Sequence, residues 1–233
     1  MKAEDLRRRL ADHVVVMDGA MGSELLQRLP VDARMDLAVH EHPQEVLEIH
    51  LAYLEAGAEL IETSSFGCSR PRLERAGAGD LTEKINAGSV KLAREAREIS
   101  GRDVLIGGSI APLAGVLDLD EPEGRAMIPL AHAEQAAILA GRGADLLILE
   151  TFFRVDELRI AVAAVRGVTD LPIIGMMTFA HERPPHPYQE QAELLDELAE
   201  LDLVAVGVNC SPGPMGALEI LRRQQGARIC SVA

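Results

Sequence analysis

The sequence predicts a (β/α)8 TIM barrel, incomplete, with about seven β/α units present. Three observations carry that expectation. Short apolar runs alternate with longer amphipathic segments from one end to the other, the pattern of a parallel sheet covered by helices. Glycines stand just after the helical segments, in AGA (56–58), GRGA (141–144) and QQGA (224–227), where they suit C-caps before the next strand. The open alternative, a doubly wound dinucleotide-binding sheet, loses its main support because the first strand runs into DGAMGSE rather than GxGxxG.

The elements follow in order. MKAEDLRRRLADH (1–13) reads as a charged helix and HVVVMDG (13–19) as the first strand. PQEVLEIHLAYLEAG (43–57) places Val46, Ile49, His50, Tyr53 and Leu54 at helical spacing. Strand ELIETSSFG (59–67), helix INAGSVKLAREAREIS (85–100) and strand VLIGGSI (104–110) come next. They are followed by helix AHAEQAAILAGRG (131–143), strand DLLILETF (145–152), helix DELRIAVAAVRG (156–167) and strand PIIGMMTF (172–179). Helix QEQAELLDELAEL (189–201), strand LVAVGVNC (203–210), helix MGALEILRRQQG (215–226) and strand RICSVA (228–233) complete the pattern. EPEGRAMIP (121–129) and HERPPHPY (181–188) read as loops, the second stiffened by prolines.

Seven strands at roughly 33 residues per unit leave one unit short of the ~250 residues typical of this barrel. The expectation is one domain over residues 1–233 that lacks its last β/α unit, either truncated or completed by a partner, because an open sheet edge is costly to expose.

At 233 residues and 48% hydrophobic, the chain can bury one large core without dividing into domains. With 23 Lys and Arg against 37 Asp and Glu, the formal net charge of −14 opposes nucleic-acid binding. No apolar run approaches a membrane span and the N-terminus lacks a signal-peptide pattern, so a cytoplasmic location is expected. Cys68, Cys210 and Cys230 are too few and too scattered for a disulfide framework.

Barrel enzymes build their sites at the C-terminal ends of the strands. Those ends carry Asp18 with Gly19 and Gly22, Glu62 with Thr63 and Ser64, Ser109, Glu150 with Thr151, Thr178, and Asn209 with Cys210. Each has an ordinary reading alone: Asp18 as a turn or cap residue, either glutamate in a structural ion pair, Cys210 as a small buried hydrophobe. Their gathering at one end favours a site. The histidines point to packing or surface, and HExxH, CxxC and GxSxG are absent.

Together, DGAMGS (18–23), ETSSFGCSRPRL (62–73), GSIAP (108–112), LLILETF (146–152) and GVNCSPGP (207–214) resemble the homocysteine S-methyltransferase family in order and spacing. The resemblance implies a (β/α)8 barrel that moves a methyl group from a donor to homocysteine thiolate, giving methionine. It implies that Cys210 is one of three thiolate ligands of a catalytic zinc. Asp18 and Glu150 would hold the amino-acid end of homocysteine, with Gly19, Thr151 and Asn209 as further pocket residues. Zinc makes such a thiol a bound thiolate, the nucleophilic form.

The family's other two zinc thiolates lie in a Gly-Gly-Cys-Cys-Gly motif that this sequence lacks, and neither Cys68 nor Cys230 matches them. The expectation is an incomplete zinc site and a chain inactive by itself. Folate or cobalamin dependence of a complete protein and further C-terminal domains are the associations that the resemblance allows, while an uncovered sheet edge favours self-association. Ser64 and Ser65 stand where the family often has Asn-Thr, and AHERPPHPY (180–188) lacks the family's glycine-containing turn. Two rival readings are a non-catalytic amino-acid-binding module and a metal-independent barrel lyase using Glu62 or Glu150 as base.

Overall fold

The computed structural model describes residues 3–179, 188–198, 200–210, 213–223 and 229–231. Helices α1 (Ala3–Asp12), α2 (Met21–Arg28), α3 (Ala38–Glu41) and α4 (Pro43–Ala56) precede strand β1 (Leu60–Glu62). Then come α5 (Arg70–Arg75), α6 (Thr82–Ser100), β2 (Leu105–Ile110), α7 (Pro122–Gly141), β3 (Leu146–Phe152), α8 (Val155–Arg166) and β4 (Ile173–Met177). The series ends with α9 (Tyr188–Leu198), β5 (Ala205–Val208), α10 (Pro214–Arg223) and β6 (Ile229–Ser231).

All six strands are parallel, and their order in the sheet is their order in the chain. A doubly wound sheet reverses at a switch point, whereas a barrel wall continues in one direction. The observed order is the barrel's. The expected C-caps are also present where described: Gly57 and Gly143 turn with φ of 111° and 99°, a left-handed conformation that glycine adopts without a Cβ clash.

Two expectations need correction. HVVVMDG (13–19) is not a full strand: Met17 forms a single parallel bridge to Leu60, so the sheet has six strands among the described residues rather than seven. Val14 and Val16 face outward at 85% and 52% exposure, so apolar packing holds only one side of this run. EPEGRAMIP (121–129) is not a loop but the first half of α7. Pro122 sits in the first turn, where its missing N–H costs nothing. The helix continues through Pro129 because Gly124, Ile128, Ala131, Gln135 and Leu139 repeat a buried face at helical spacing. Of the predicted loop at 181–188, only Tyr188 is described, as the first residue of α9, and the QQGA cap lies outside the described residues.

Alternation along the strands sorts the core into two layers. Leu60, Leu105, Leu146, Ile148, Ile174, Met176 and Ala205 form an interior cluster. The intervening Leu147, Leu149, Ile173, Met177, Val206 and Val208 pack outward with residues of the covering helices. Helix α1 joins the interior cluster through fully buried Leu6 and partly buried Leu10. It therefore closes the end of the wall opposite the strands' C-termini.

Period-two alternation then decides where the polar residues go. Glu62 follows Leu60 by two positions, Ser109 follows Leu105 by four, Glu150 follows Ile148, and Thr178 follows Met176. Asn209 follows Ala205 by four. All five continue the inward-facing rows at the strands' C-terminal ends.

Candidate functional site

A cavity of about 490 Å³ opens at this end, lined by Asp18, Gly19, Glu62, Ser109, Glu150, Thr151, Asn209 and Cys210 among others. Every residue picked out as a candidate ligand or pocket residue therefore borders one space. The lining also includes the first turn of α2 and Asp36, which lies in no strand end and carried no sequence signal.

Asn209 ties the site together. Its Oδ1 accepts the Thr151 backbone N–H at 2.9 Å. Its Nδ2 donates at 2.8 Å both to Glu150 Oε2 and to Thr151 Oγ1. The other Glu150 oxygen accepts the Ser109 hydroxyl. Ser109 is fixed in turn: its N–H donates to Thr63 Oγ1 at 3.1 Å and its carbonyl accepts the Ser65 hydroxyl at 2.7 Å. Buried polar groups are held only when so paired.

The backbone is strained at two positions, both in this site. Thr151 has φ of 64° and Cys210 has φ of 48°, the only non-glycine residues with positive φ among those described. At Thr151 the β3–β4 register shifts between Leu149 and Phe152, so an extra residue is accommodated in β3. Such bulges re-aim side chains at functional sites. A β-branched residue at positive φ is a true outlier that surrounding bonds must hold. Asn209 supplies those bonds. At Cys210, the Thr178 hydroxyl donates to its carbonyl at 2.9 Å. The Thr151 hydroxyl lies 3.6 Å from its sulfur. Cys210 is exposed, whereas Cys68 is buried with its thiol directed at the Asp36 and Ser64 carbonyls. The Cys230 side chain lies outside the described residues.

Gly19 leaves room for the end of the Tyr53 side chain. A Cβ there would come within 2.9 Å of the Tyr53 hydroxyl oxygen. Asp18 packs beside it, 8% exposed, with Oδ2 accepting the Glu62 backbone N–H at 2.9 Å.

Three carboxyls thus share the cavity. Burial pushes Asp18 up to about 7, with the nearby Glu150 adding to the rise and the Glu62 N–H opposing it. Burial also carries Glu62 well above the usual carboxylate range, helped by Glu150 and Asp18. Glu150 is raised by burial too, but hydrogen bonds from Ser109, Glu62 and Asn209 work against the rise. Carboxyls this close favour retaining a proton between them over ionising together. The strongest charge effects on Asp18 and Glu62 come from within this set, and no Lys, Arg or His is ion-paired to the three among the described residues.

A metal is less well served. Among the described residues no group of three His, Cys, Asp or Glu side chains is placed to hold a metal ion. A zinc site needs four ligands, three of them from protein when a position is kept open. Cys210 alone does not meet that need. Nor is any helix among the described residues long and apolar enough to cross a membrane.

The architecture and this cavity define a parallel β/α barrel with an acidic, cysteine-edged pocket at the strand ends. A profile of the family described as Homocysteine S-methyltransferase matches residues 15–232. The chain belongs to that family. Methionine synthase from Mycobacterium leprae is 31% identical over 94% of this chain and 19% of its own length. S-methylmethionine–homocysteine S-methyltransferase BHMT2 from Pongo abelii is 30% identical over 93% of this chain and 57% of its own length. The chain thus spans less than two thirds of either curated relative. The metallated form of homocysteine methyltransferase MmuM from Escherichia coli superposes with a TM-score of 0.69 at 21% identity. That likeness covers 97% of this chain and 94% of that one, and supports the fold.

Proposed function

We propose that the pocket binds homocysteine and that the family's methyl transfer to its sulfur, giving methionine, is the activity of the polypeptide to which this barrel belongs. The observation that carries the reading is a set of three carboxyls, Asp18 buried and Glu62 and Glu150 half-buried, facing a cavity with no cation paired to them among the described residues. Buried acids without a counter-ion suit a cationic ligand. A primary ammonium meets Asp18 and Glu150, as the family resemblance implies.

The first turn of α2 borders the same cavity, and no side chain caps it. Free N–H groups at a helix start favour an anion, here the ligand's α-carboxylate. The pocket then orients the amino acid by both charges, leaving its thiol to extend toward Cys210. Asn209 and Thr151 fix Glu150 and the Cys210 turn, so the two ends of the ligand are held by one bonded unit.

Cys210 is the position for one zinc thiolate. The donors among the described residues do not complete a zinc set, so zinc dependence belongs to a polypeptide or assembly that supplies the rest. Folate- or cobalamin-linked domains beside the barrel are a further proposal, consistent with the small share of the methionine synthase that this chain spans. The methyl donor is left open.

Calorimetric titration under reducing conditions tests the pocket, comparing L-homocysteine with 4-mercaptobutanoate, which keeps the thiol and carboxylate but lacks the ammonium. Homocysteine should bind about tenfold tighter or more, the usual scale for losing a charged hydrogen-bonding group. Equal affinities would overturn the reading.

A further inference from the structure

Asp18 and Glu150 are the carboxyls that the family resemblance assigns to the amino-acid end of the ligand, which leaves Glu62 without a role. Its position is no accident of packing: β1 ends on it, alternation turns it inward, and it borders the cavity between the other two. Its carboxyl lies beside that of Glu150. Its Oε1 is shielded from solvent, with no donor directed at it among the described residues. A buried carboxyl oxygen left without a donor is rare in a folded protein and calls for a group to fill it.

We propose that Glu62 is a third binding residue for the ligand's cationic end, its carboxyl accepting one N–H of a primary ammonium. The inference rests on the homocysteine reading above and adds to it a specificity. A primary ammonium presents three N–H donors, and Asp18, Glu62 and Glu150 present three acceptors around one space. An amine whose hydrogens are replaced by methyl groups keeps its charge but cannot satisfy all three.

Two features favour the arrangement. Glu150 already has both oxygens bonded, to Ser109 and to Asn209, so its remaining capacity is limited. Burial and the neighbouring acids favour the protonated form of Glu62, which reduces repulsion among the acids while still leaving a carbonyl-type oxygen as acceptor.

The test measures how strongly each protein prefers L-homocysteine over 4-mercaptobutanoate. Glu62→Gln keeps an acceptor oxygen and an N–H for Glu150, so the parent's preference should survive within about threefold. Glu62→Met keeps the bulk but offers no oxygen, and the preference should fall about tenfold or more. Thermal unfolding of both variants checks that they fold. If the Met variant does not, the parent alone decides with N,N-dimethylhomocysteine, which should bind about tenfold more weakly than homocysteine.

A Met variant that keeps the parent's preference, or a parent that binds the dimethylated ligand equally well, would overturn the role of Glu62 while leaving the homocysteine pocket standing. A parent that does not prefer homocysteine at all would remove both.

Discussion

At the scale of single residues, Asp18 links pocket chemistry to stability. In the folded chain it keeps its proton up to about pH 7, whereas an unfolded Asp releases it near pH ~4. Between those values the folded state binds more protons, so this contribution to stability is full at the acidic end and is lost as pH rises. Glu62 and Glu150 act in the same direction. Urea unfolding at several pH values between about 4 and 7 should show Asp18→Asn removing a slope approaching ~1.4 kcal/mol per pH unit. An Asn variant with the parent's slope would show that Asp18 titrates normally. A cationic ligand should have the opposite dependence, binding better as Asp18 ionises. Much of this residue set was legible beforehand, because strand alternation and the polar strand ends converge on Glu62, Ser109, Glu150 and Asn209. Asp36 was not, since it reaches the cavity from a short 3-10 turn whose placement no local pattern encodes.

At the scale of elements, the bulge in β3 decides how the site is aimed. LLILETF reads as an uninterrupted strand, and nothing in that run announces a threonine at positive φ. The bulge becomes visible only through long-range bonds, with Asn209 of the β5 end meeting Thr151 of β3. Unequal effects follow from two substitutions. Thr151→Val keeps a β-branched side chain in the strained conformation and loses the hydroxyl bonds to Asn209 and Cys210, so unfolding free energy should fall by about 1–3 kcal/mol. Thr151→Gly loses the same hydroxyl but releases the strain, and should lie within about 1 kcal/mol of the parent. Chemical denaturation of the pair measures the difference. Equal losses would mean that the hydroxyl, rather than backbone strain, sets the cost. The fate of 121–129 teaches a related lesson: two prolines suggested a loop, but a continuous buried face carried α7 through the second of them.

At the scale of the whole molecule, the wall is held from within by α1 and is open to ligand at the other end. Leu6 is wholly buried among the interior residues of β1, β2, β3, β4 and β5. Leu6→Ala should therefore cost about 2–5 kcal/mol in chemical unfolding, with homocysteine affinity unchanged where the variant remains folded. A surface-like loss below ~0.5 kcal/mol would show that α1 does not seal the interior. The fold class was legible because alternation of strand and helix persists along nearly the whole chain. The first strand was overcounted because HVVVMDG has strand composition, whereas pairing requires neighbours that composition alone does not supply.

The agreement between sheet order and chain order also bears on synthesis. Each new strand pairs with the one made just before it, so a chain emerging from the ribosome can extend the wall without waiting for a distant segment. Asp18, Glu62, Ser109 and Glu150 are all translated before Asn209 and Cys210. At about 5–20 residues per second, the acidic half of the pocket precedes its cysteine edge by roughly 3–12 s. During that interval Thr151 lacks the Asn209 bonds that hold its backbone, so the bulge can take its final form only when β5 arrives.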